Sequence, residues 1–139
     1  MRLAIAALAR PLDVPFPQGL RQVMDELADR YDVKIVTFVD PQVRIDSLQG
    51  ESLLRIVVEA VRNAVRHGKA QRIEVRLTGS PLCLTIVDDG GGFAPDRPDG
   101  HRPGGFGMTS MRERAQGLGG QLTIDSTPAG GTVVKVLLR

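Results

Sequence analysis

The sequence predicts an α+β fold, a two-layer α/β sandwich in which helices cover one face of a mixed, mostly antiparallel sheet. Pairs of strand-like segments with turn residues between their members indicate β-hairpins, and helical segments separate those pairs. The strict alternation of strand and helix that marks a doubly wound nucleotide fold is missing. A length of 139 residues suits one domain.

The first half of the chain predicts two helices with a strand between them. Residues 18–31 carry apolar side chains at helical spacing, and residues 33–39 form a β-branched segment typical of a strand. Residues 51–67 have the strongest helical pattern. Gly68 follows directly and suits a left-handed C-cap position, so we expect the helix to end there.

The second half predicts two hairpins separated by a helix at residues 108–116. The hairpin strands alternate apolar and polar residues and lie at residues 71–77, 82–88, 121–125 and 132–138. In the second of these strands Asp88 has the same parity as Leu84 and Ile86, so we expect it to point toward the core. The alternative is a strand end at which Asp88 and Asp89 meet water and start a turn.

Composition and charge exclude several classes of protein. Apolar residues make up 42% and charged residues 24% of the chain, which argues against intrinsic disorder. A net charge of +2 without a long Lys/Arg run argues against a nucleic-acid binder. The single Cys83 excludes an internal disulfide, and with two histidines it leaves no zinc site. No apolar run reaches the ~20 residues that span a bilayer, and a cytoplasmic location fits best.

The strongest helix has an apolar face and a polar row at its margin. The apolar face is predicted to pack on the sheet and consists of Leu54, Val57, Val58, Val61, Ala64 and Val65. Three arginines point to water: Arg55, Arg62 and Arg66. Glu59, Asn63 and His67 recur every four residues at the edge of that face, beside Ile56 and Ala60. This row is either a solvated helix face or a ligand site. The mid-helix asparagine favours a ligand site, because its carbonyl oxygen suits Mg²⁺.

Glycines concentrate in the second half, where thirteen of the sixteen lie at or after position 79. Residues 90–92 permit positive φ or a close approach of another group to the backbone. Residues 104–107 lead into the third predicted helix, where free N–H groups and the positive end of the helix dipole form an anion site. Ser110 and Glu113 predict a capping box, which would start this helix one or two residues later.

Four sequence boxes, taken in order, resemble the ATP-binding boxes of sensor histidine kinases. They are EAVRNAVRHG, VDDGGGF, GGFGMTSMRERAQGLGG and PAGGT, at residues 59–68, 87–93, 104–120 and 128–132. The fold of that family is the one shared with gyrase, the heat-shock chaperone ATPase and mismatch-repair ATPases, the GHKL superfamily. The phrase MRERAQGLGGQLTIDSTPAGGT is similar to the subfamily of nitrate/nitrite sensors. The resemblance covers residues 21–139.

The resemblance implies a site for ATP and Mg²⁺. Asn63 corresponds to the asparagine that coordinates Mg²⁺, and Glu59, one helical turn earlier, to the acidic residue that orients or activates. Arg66 and His67 occupy positions near the phosphates. Asp88 corresponds to the carboxylate that accepts a hydrogen bond from the adenine amino group.

Glycine-rich boxes supply the rest of the implied site. Gly90 and Gly92 shape the adenine pocket, and Thr132 is the hydroxyl residue near adenine. The box that leads into the third helix lies beside the phosphates and contributes Gly105, Phe106, Gly107 and Met108.

The resemblance also implies a domain organisation. Residues 1–11 look like the tail of the second helix of a dimerisation domain, and residues 12–139 form the catalytic domain. No histidine box of a dimerisation domain is recognisable in the chain. Residues 94–104 correspond to the lid over ATP, in which His101 and Arg102 are candidate phosphate contacts.

The implied function is transfer of the ATP γ-phosphate to a histidine on the separate dimerisation domain, for relay to a response regulator. Catalysis then rests mainly on positioning and charge neutralisation. The expected partners are that domain and the regulator, with no nucleic acid and no membrane contact by this segment. Whether the parent protein is anchored in a membrane stays open. Two alternatives remain: a serine kinase of the anti-sigma-factor type with the same fold, and a module that binds ATP without transfer.

Overall fold

Three helices and five strands make up the described part of the chain. The computed structural model describes residues 15–79, 81–91, 105–127 and 130–138. Its elements are α1 Phe16–Tyr31, β1 Lys34–Val39, α2 Ser47–Arg66, β2 Arg72–Thr78, β3 Cys83–Asp88, α3 Gly105–Gly117, β4 Gly120–Thr127 and β5 Gly131–Leu138. The predicted dimerisation-helix tail at residues 1–11 and the predicted lid at residues 94–104 lie outside the described residues.

The five strands form one sheet in the order β1-β2-β3-β5-β4. β1 and β2 run parallel, because helix α2 carries the chain back between them. The other three neighbouring pairs are antiparallel. Both predicted hairpins form, β2–β3 and β4–β5, and β5 lies between β3 and β4. The predicted mixed, mostly antiparallel sheet is confirmed.

The core lies between the helices and one face of the sheet. Ile73, Val75 and Leu77 alternate along β2 and are each 0% exposed. Phe38 and Val87 lie on the opposite face and are 48% and 38% exposed. Burying one such aliphatic side chain contributes about 1.5–3 kcal/mol. The predicted two-layer arrangement, with one solvated sheet face, is confirmed.

Helix α2 begins at Ser47, four residues before the predicted start. The Asp46 carboxylate accepts a hydrogen bond from the Gln49 N–H at 2.7 Å, and the Gln49 side chain accepts one from the Asp46 N–H at 3.3 Å. This capping box satisfies N–H groups that the start of a helix leaves unpaired. The spacing of apolar residues gives no information on this capping box, and for that reason the predicted start of α2 is four residues too late.

The left-handed residue after α2 is Lys69, with φ 53°, and the prediction of Gly68 for that position is wrong. Gly68 is needed for a different reason, because a Cβ there would lie 2.9 Å from the Ala64 carbonyl oxygen. The Ala70 N–H donates to that same oxygen at 2.9 Å. The chain therefore turns tightly against the end of its own helix.

Helix α3 begins at Gly105 and contains Ser110, so the predicted capping box of Ser110 and Glu113 is wrong. Glycine disfavours a helix interior by about 1 kcal/mol relative to alanine. Contacts of α3 with α2 and with β4 outweigh this low propensity.

The buried face of α2 is rotated relative to the prediction. Ile56 and Ala60, predicted to flank the margin, are 0% and 5% exposed. Val58 and Val65, predicted to face the sheet, are only partly buried. Helix α2 packs against α1 and α3 as well as against the sheet, so its covered arc is set by three neighbours.

Candidate functional site

A cavity lies between α2, α3 and one end of the inner face of the sheet. Its empty space is about 370 Å³, a volume that includes space open to solvent. The helices and the turn after α2 contribute Ala60, Asn63, Ala64, Gly68 and Met111. The strands contribute Ile86, Asp88, Ile124, Thr132 and Val134. Most of this lining is apolar, with a few polar groups that can orient a ligand.

Asp88 is the charged group of this lining, at the end of β3. It is 8% exposed, and its carboxylate accepts hydrogen bonds from the Gly90 N–H at 2.8 Å and from the Thr132 N–H. Burial raises the pKa of Asp88, and the two N–H groups oppose that rise. The parity prediction that Asp88 points inward is confirmed, and the alternative that it meets water is wrong. A buried carboxylate of raised pKa in a cavity is typical of a functional site.

The neighbouring Asp89 stabilises the start of β2. Its Oδ1 accepts hydrogen bonds from the N–H groups of Gln71 and Arg72, both at 3.0 Å. These hydrogen bonds lower the pKa of Asp89. The two adjacent carboxylates therefore have separate roles, because Asp89 pairs with backbone and Asp88 faces the cavity.

Gly90 brings the end of β3 into direct contact with the turn after α2. A Cβ on Gly90 would overlap the Gly68 carbonyl group. The Gly91 N–H donates to the same carbonyl oxygen at 2.7 Å. Neither Gly90 nor Gly91 has a positive φ. The sequence offered two reasons for glycine at these positions. Close approach of another group to the backbone is confirmed for Gly90, whereas the expectation of a positive φ is wrong for both Gly90 and Gly91. Gly92 lies outside the described residues.

The polar row of α2 reaches the cavity through Asn63. Asn63 and Glu59 are half-buried, whereas Arg66 and His67 are exposed at the end of the helix. Within the described part of the chain, the side-chain amide of Asn63 has no hydrogen-bond partner. A partly buried amide gains free energy when a ligand or water pairs with it. Asn63 is therefore available to a ligand in the cavity.

Thr132 lies opposite Asp88 on the neighbouring strand. It is 7% exposed, and its hydroxyl oxygen lies 2.8 Å from that of Ser126 on β4. The preceding Gly131 has φ 83°, and a Cβ there would overlap the Asp88 carbonyl oxygen. Gly131 therefore lets β5 begin directly beside Asp88.

The first turn of α3 contains Gly105 and Gly107. Helix starts leave N–H groups unpaired and carry the positive end of the dipole, which is the basis of the predicted anion site. Five residues of the predicted site are not covered by the structural description. Gly92, His101 and Arg102 lie outside the described residues, and the side chains of Phe106 and Met108 are not described.

Sequence reasoning missed the apolar residues of the cavity, among them Met111, Ile124 and Val134. Strand parity holds the signal for the last two. Val134 pairs with Ile86 and with Ile124, so all three share one face of the sheet. For Met111 the signal is its helical spacing with Ala115, since both are buried.

Comparison with known families decides what kind of domain forms this cavity. The family model described as "Histidine kinase-, DNA gyrase B-, and HSP90-like ATPase" matches residues 49–139. The chain belongs to this family. The matched range contains every residue that lines the cavity, and the resemblance to the ATP-binding domain of sensor histidine kinases is confirmed. The molecule is therefore an ATP-binding domain of the histidine kinase-like ATPase family.

Curated relatives of this ATPase-family domain include several sensor kinases. The domain is 35% identical to the nitrate/nitrite sensor protein NarQ of Escherichia coli over 128 residues, 88% of this chain and 22% of that protein. It is 34% identical to the signal transduction histidine-protein kinase/phosphatase UhpB of Salmonella typhimurium (91% and 25% covered). It is 31% identical to the sensor histidine kinase LiaS of Bacillus subtilis (86% and 32% covered). The chain thus spans about a fifth to a third of these relatives.

Solved structures share the fold of the ATPase-family domain. The blue-light activated histidine kinase of Erythrobacter litoralis EL346 aligns with a TM-score of 0.78 over 99% of this chain and 46% of that one, at 21% identity. The histidine kinase domain of that protein aligns with a TM-score of 0.74 over 90% and 61%, also at 21% identity. These alignments support the α+β architecture. None of the described helices combines the length and the apolar content that crossing a membrane requires.

Proposed function

We propose that the domain binds ATP with Mg²⁺ in the cavity between α2, α3 and the sheet. In the parent protein it passes the γ-phosphate to a histidine on a separate dimerisation domain. An aspartate on a response regulator then receives the phosphate. The relatives named as sensors and histidine kinases support this choice.

The buried carboxylate of Asp88 is the observation that carries the proposal. An ionised carboxylate accepts hydrogen bonds and donates none. Two backbone N–H groups occupy part of its capacity, and the remaining lone pairs select a ligand edge that bears an N–H donor. The exocyclic amino group of adenine is such a donor. Gly90 and Thr132 hold Asp88 in place on the adenine side of the site.

Asn63 fits the role of a magnesium ligand. Mg²⁺ binds oxygen, keeps several waters and takes further ligands from phosphates, so one protein oxygen can suffice. No group of three His, Cys, Asp or Glu side chains that could hold a metal occurs among the described residues. Within that part of the chain, Mg²⁺ at Asn63 depends on the phosphates and water for its other ligands. When bound, it neutralises charge on the phosphates.

The other proposed residues lie on the phosphate side of the site. Glu59, half-buried one helical turn before the magnesium ligand, orients or activates the acceptor. Arg66 and His67 supply donors and positive charge at the exposed end of α2. Gly105 and Gly107 present the backbone N–H groups of the first turn of α3. Three further residues belong to the proposal through the resemblance: Gly92, Phe106 and Met108.

Replacing Asn63 by Ala is expected to remove the magnesium-dependent part of the ATP affinity. Alanine is the better helix former, so α2 is not weakened. We expect at least a tenfold weaker affinity for ATP in Mg²⁺, about 1.4 kcal/mol, and little change for adenosine. Titration calorimetry with and without EDTA measures both.

Arg62→Ala is the matched control for this experiment. Arg62 is exposed on the same helix, so its replacement should leave Mg²⁺-ATP binding at the level of the wild-type protein. Equal ATP affinities of Asn63→Ala and the wild-type protein in Mg²⁺ would contradict the metal role of Asn63.

Phosphoryl transfer is tested with γ-labelled ATP and an added dimerisation domain that carries the acceptor histidine. The expected product is acid-labile phosphohistidine. Acid-stable phosphoserine on an added regulator-antagonist protein would instead support the anti-sigma-factor type of kinase. Binding of ATP without any transfer would support the non-catalytic module.

Glu59→Gln separates binding from transfer in the same assay. The substitution removes the carboxylate charge and keeps the size of the side chain. We expect ATP affinity to stay near the wild-type value and transfer to slow by about 10²-fold, the scale of a lost acid–base group. Glu51→Gln, on the first turns of the same helix, is the control and should leave transfer unchanged. A Glu59→Gln protein with undiminished transfer would show that the carboxylate has no part in it.

A further inference from the structure

A hydrogen bond joins helix α3 to the edge strand β4. The guanidinium of Arg112 donates to the Leu122 carbonyl oxygen at 3.3 Å. Arginine can only donate and a carbonyl oxygen can only accept, so the direction of this hydrogen bond is fixed. β4 has a neighbouring strand on one side only. Two residues further along β4, Ile124 contributes to the lining of the cavity. Arg112 therefore attaches α3 to the sheet beside the site.

The buried side chains of α3 lie along one line on the helix. Met111 and Ala115 are 1% and 0% exposed and lie about one helical turn apart on the same face. Apolar burial is non-directional, so these two contacts by themselves leave the helix able to tilt by small angles. Arg112 lies about 100° further round the helix than Met111. Its hydrogen bond to Leu122 is a directional contact off that line, and it restricts the tilt of the helix axis.

The tilt of α3 decides where its first turn lies. Gly105 and Gly107 are in that turn, and Arg112 comes seven residues after the first of them. At 1.5 Å per residue, the start of α3 lies about 10 Å from Arg112 along the axis. A tilt of about 10° then moves the first turn by about 2 Å, more than a hydrogen bond tolerates. The orientation of α3 therefore controls any hydrogen bond that the N–H groups of this turn make.

We infer that Arg112 is a positioning residue, whose hydrogen bond to β4 holds the first turn of α3 where its N–H groups meet the phosphates of ATP. This inference rests on the proposed function, in which that turn binds the phosphates. The adenine side of the site depends on Asp88 and the strands, and Met111 is held there by its own burial. Loss of the hydrogen bond therefore weakens binding of the triphosphate and spares binding of the nucleoside.

The test compares the affinities for ATP and for adenosine in Mg²⁺. Titration calorimetry measures ATP binding, and competition with ATP measures adenosine binding. Arg112→Ala should weaken ATP binding by about three- to tenfold, the range of one hydrogen bond, and change adenosine binding by less than about twofold. The ratio of the ATP affinity to the adenosine affinity should therefore fall.

Two other arginines are matched controls. Arg114 is on the same helix and has no hydrogen bond to β4 among the described residues, so Arg114→Ala removes the same charge without that hydrogen bond. Arg21 of α1 donates to the Thr37 carbonyl oxygen of the other edge strand, β1, at 3.1 Å. Arg21→Ala removes the same kind of hydrogen bond from elements that do not line the cavity. Both variants should keep the wild-type ratio of affinities.

The ratio of the two affinities separates positioning from a structural role. A protein that is only less stable loses affinity for both ligands alike, so a wild-type ratio in Arg112→Ala overturns the inference. An equal fall of the ratio in Arg114→Ala or Arg21→Ala also overturns it, because loss of charge or of any edge-strand hydrogen bond would then be the cause.

A second variant covers the case in which Arg112→Ala does not fold. Arg112→Lys keeps the charge and has a shorter side chain, and the hydrogen bond of 3.3 Å is already near the upper limit of length. The ratio should fall in Arg112→Lys too, and a wild-type ratio there overturns the inference.

The outcomes also distinguish this inference from the proposed function. A wild-type protein without ATP affinity overturns both. A wild-type protein that binds ATP, with an unchanged ratio in Arg112→Ala, overturns this inference alone.

Discussion

Asp88→Asn is expected to weaken ATP binding by one to two orders of magnitude while the nucleotide-free protein unfolds at the same temperature as the wild-type protein or at a higher one. A hydrogen bond to a charged group contributes about 1.5–3 kcal/mol, so we expect a loss of affinity of about 10- to 150-fold. Stability is retained because burial raises the pKa of Asp88, and removing a charge that burial disfavours relieves the folded state. Calorimetry measures the affinity, and thermal unfolding measures the stability.

The pH dependence follows from the raised pKa of Asp88. The pKa of Asp88 is higher in the folded than in the unfolded state. At a pH above both of these pKa values Asp88 is ionised, and its ionisation lowers the folding stability. As the pH falls through the folded-state pKa, the carboxyl takes up a proton and this loss of stability is relieved. ATP affinity has the opposite trend and weakens over the same interval, because adenine loses the ionised acceptor. Both contributions should be absent in Asp88→Asn, measured from about pH 4 to 7.

Asp89→Ala is the matched control, on the next residue. It removes the acceptor of the Gln71 and Arg72 N–H groups, so we expect a lower unfolding temperature and unchanged ATP affinity. The lowered pKa of Asp89 means that its stabilisation is present above the unfolded pKa and is lost as the pH falls through the folded one. The assignment would be contradicted if Asp89→Ala lost ATP while Asp88→Asn retained it.

Gly90→Ala is expected to have the largest effect on folding. The new Cβ would overlap the Gly68 carbonyl group, and its third neighbour is the Asp88 side chain, at 3.0 Å. The backbone has little freedom to move away, because the Gly90 N–H bonds to Asp88 and the Gly91 N–H bonds to Gly68. We expect the free energy of unfolding to fall by about 2–3 kcal/mol, and ATP affinity to fall with it because Asp88 is displaced. Urea unfolding and calorimetry measure the two effects.

Gly91→Ala is the control for this prediction. A Cβ on Gly91 would lie 3.8 Å from the same Gly68 oxygen, an ordinary contact. Gly91 has no positive φ, so alanine fits its backbone. We expect a change within about 0.5 kcal/mol, typical of a surface site. Equal destabilisation by Gly90→Ala and Gly91→Ala would show that contact with Gly68 is not the cause.

The local sequence pattern predicted which segments form helices and strands better than it predicted the residues at which they begin and end. Alternation in the segments around Ile73 and Ile86 predicted both strands of the first hairpin, because side chains of a strand alternate whatever lies around it. The ends depend on single hydrogen bonds. The carboxylate of Asp46 starts α2 early, and the close approach of Gly68 to Ala64 ends it with Lys69 in the left-handed position.

The candidate site divides in the same way. Parity along β3 alone predicted that Asp88 points inward, and the spacing along α2 predicted that Glu59 and Asn63 share one side of the helix. The sequence did not predict that Ile56 and Ala60 are buried, because α3 packs beside α2 and comes from a distant part of the chain. The spacing of apolar residues indicates that one face of α2 is buried, but it does not show that a second element, here α3, packs beside that face.

The sequence by itself determined the α+β class, the two hairpins, the inward direction of Asp88 and the family to which the domain belongs. These are properties of side-chain alternation, helical spacing and local motifs, each contained in a short stretch of chain. Tertiary structure alone decided that β5 lies between β3 and β4. That order places Ser126, Thr132 and Asp88 side by side and brings Ile124 to the cavity floor. The physical reason is that register between strands distant in sequence is set by burial of the whole sheet face, which no single segment encodes.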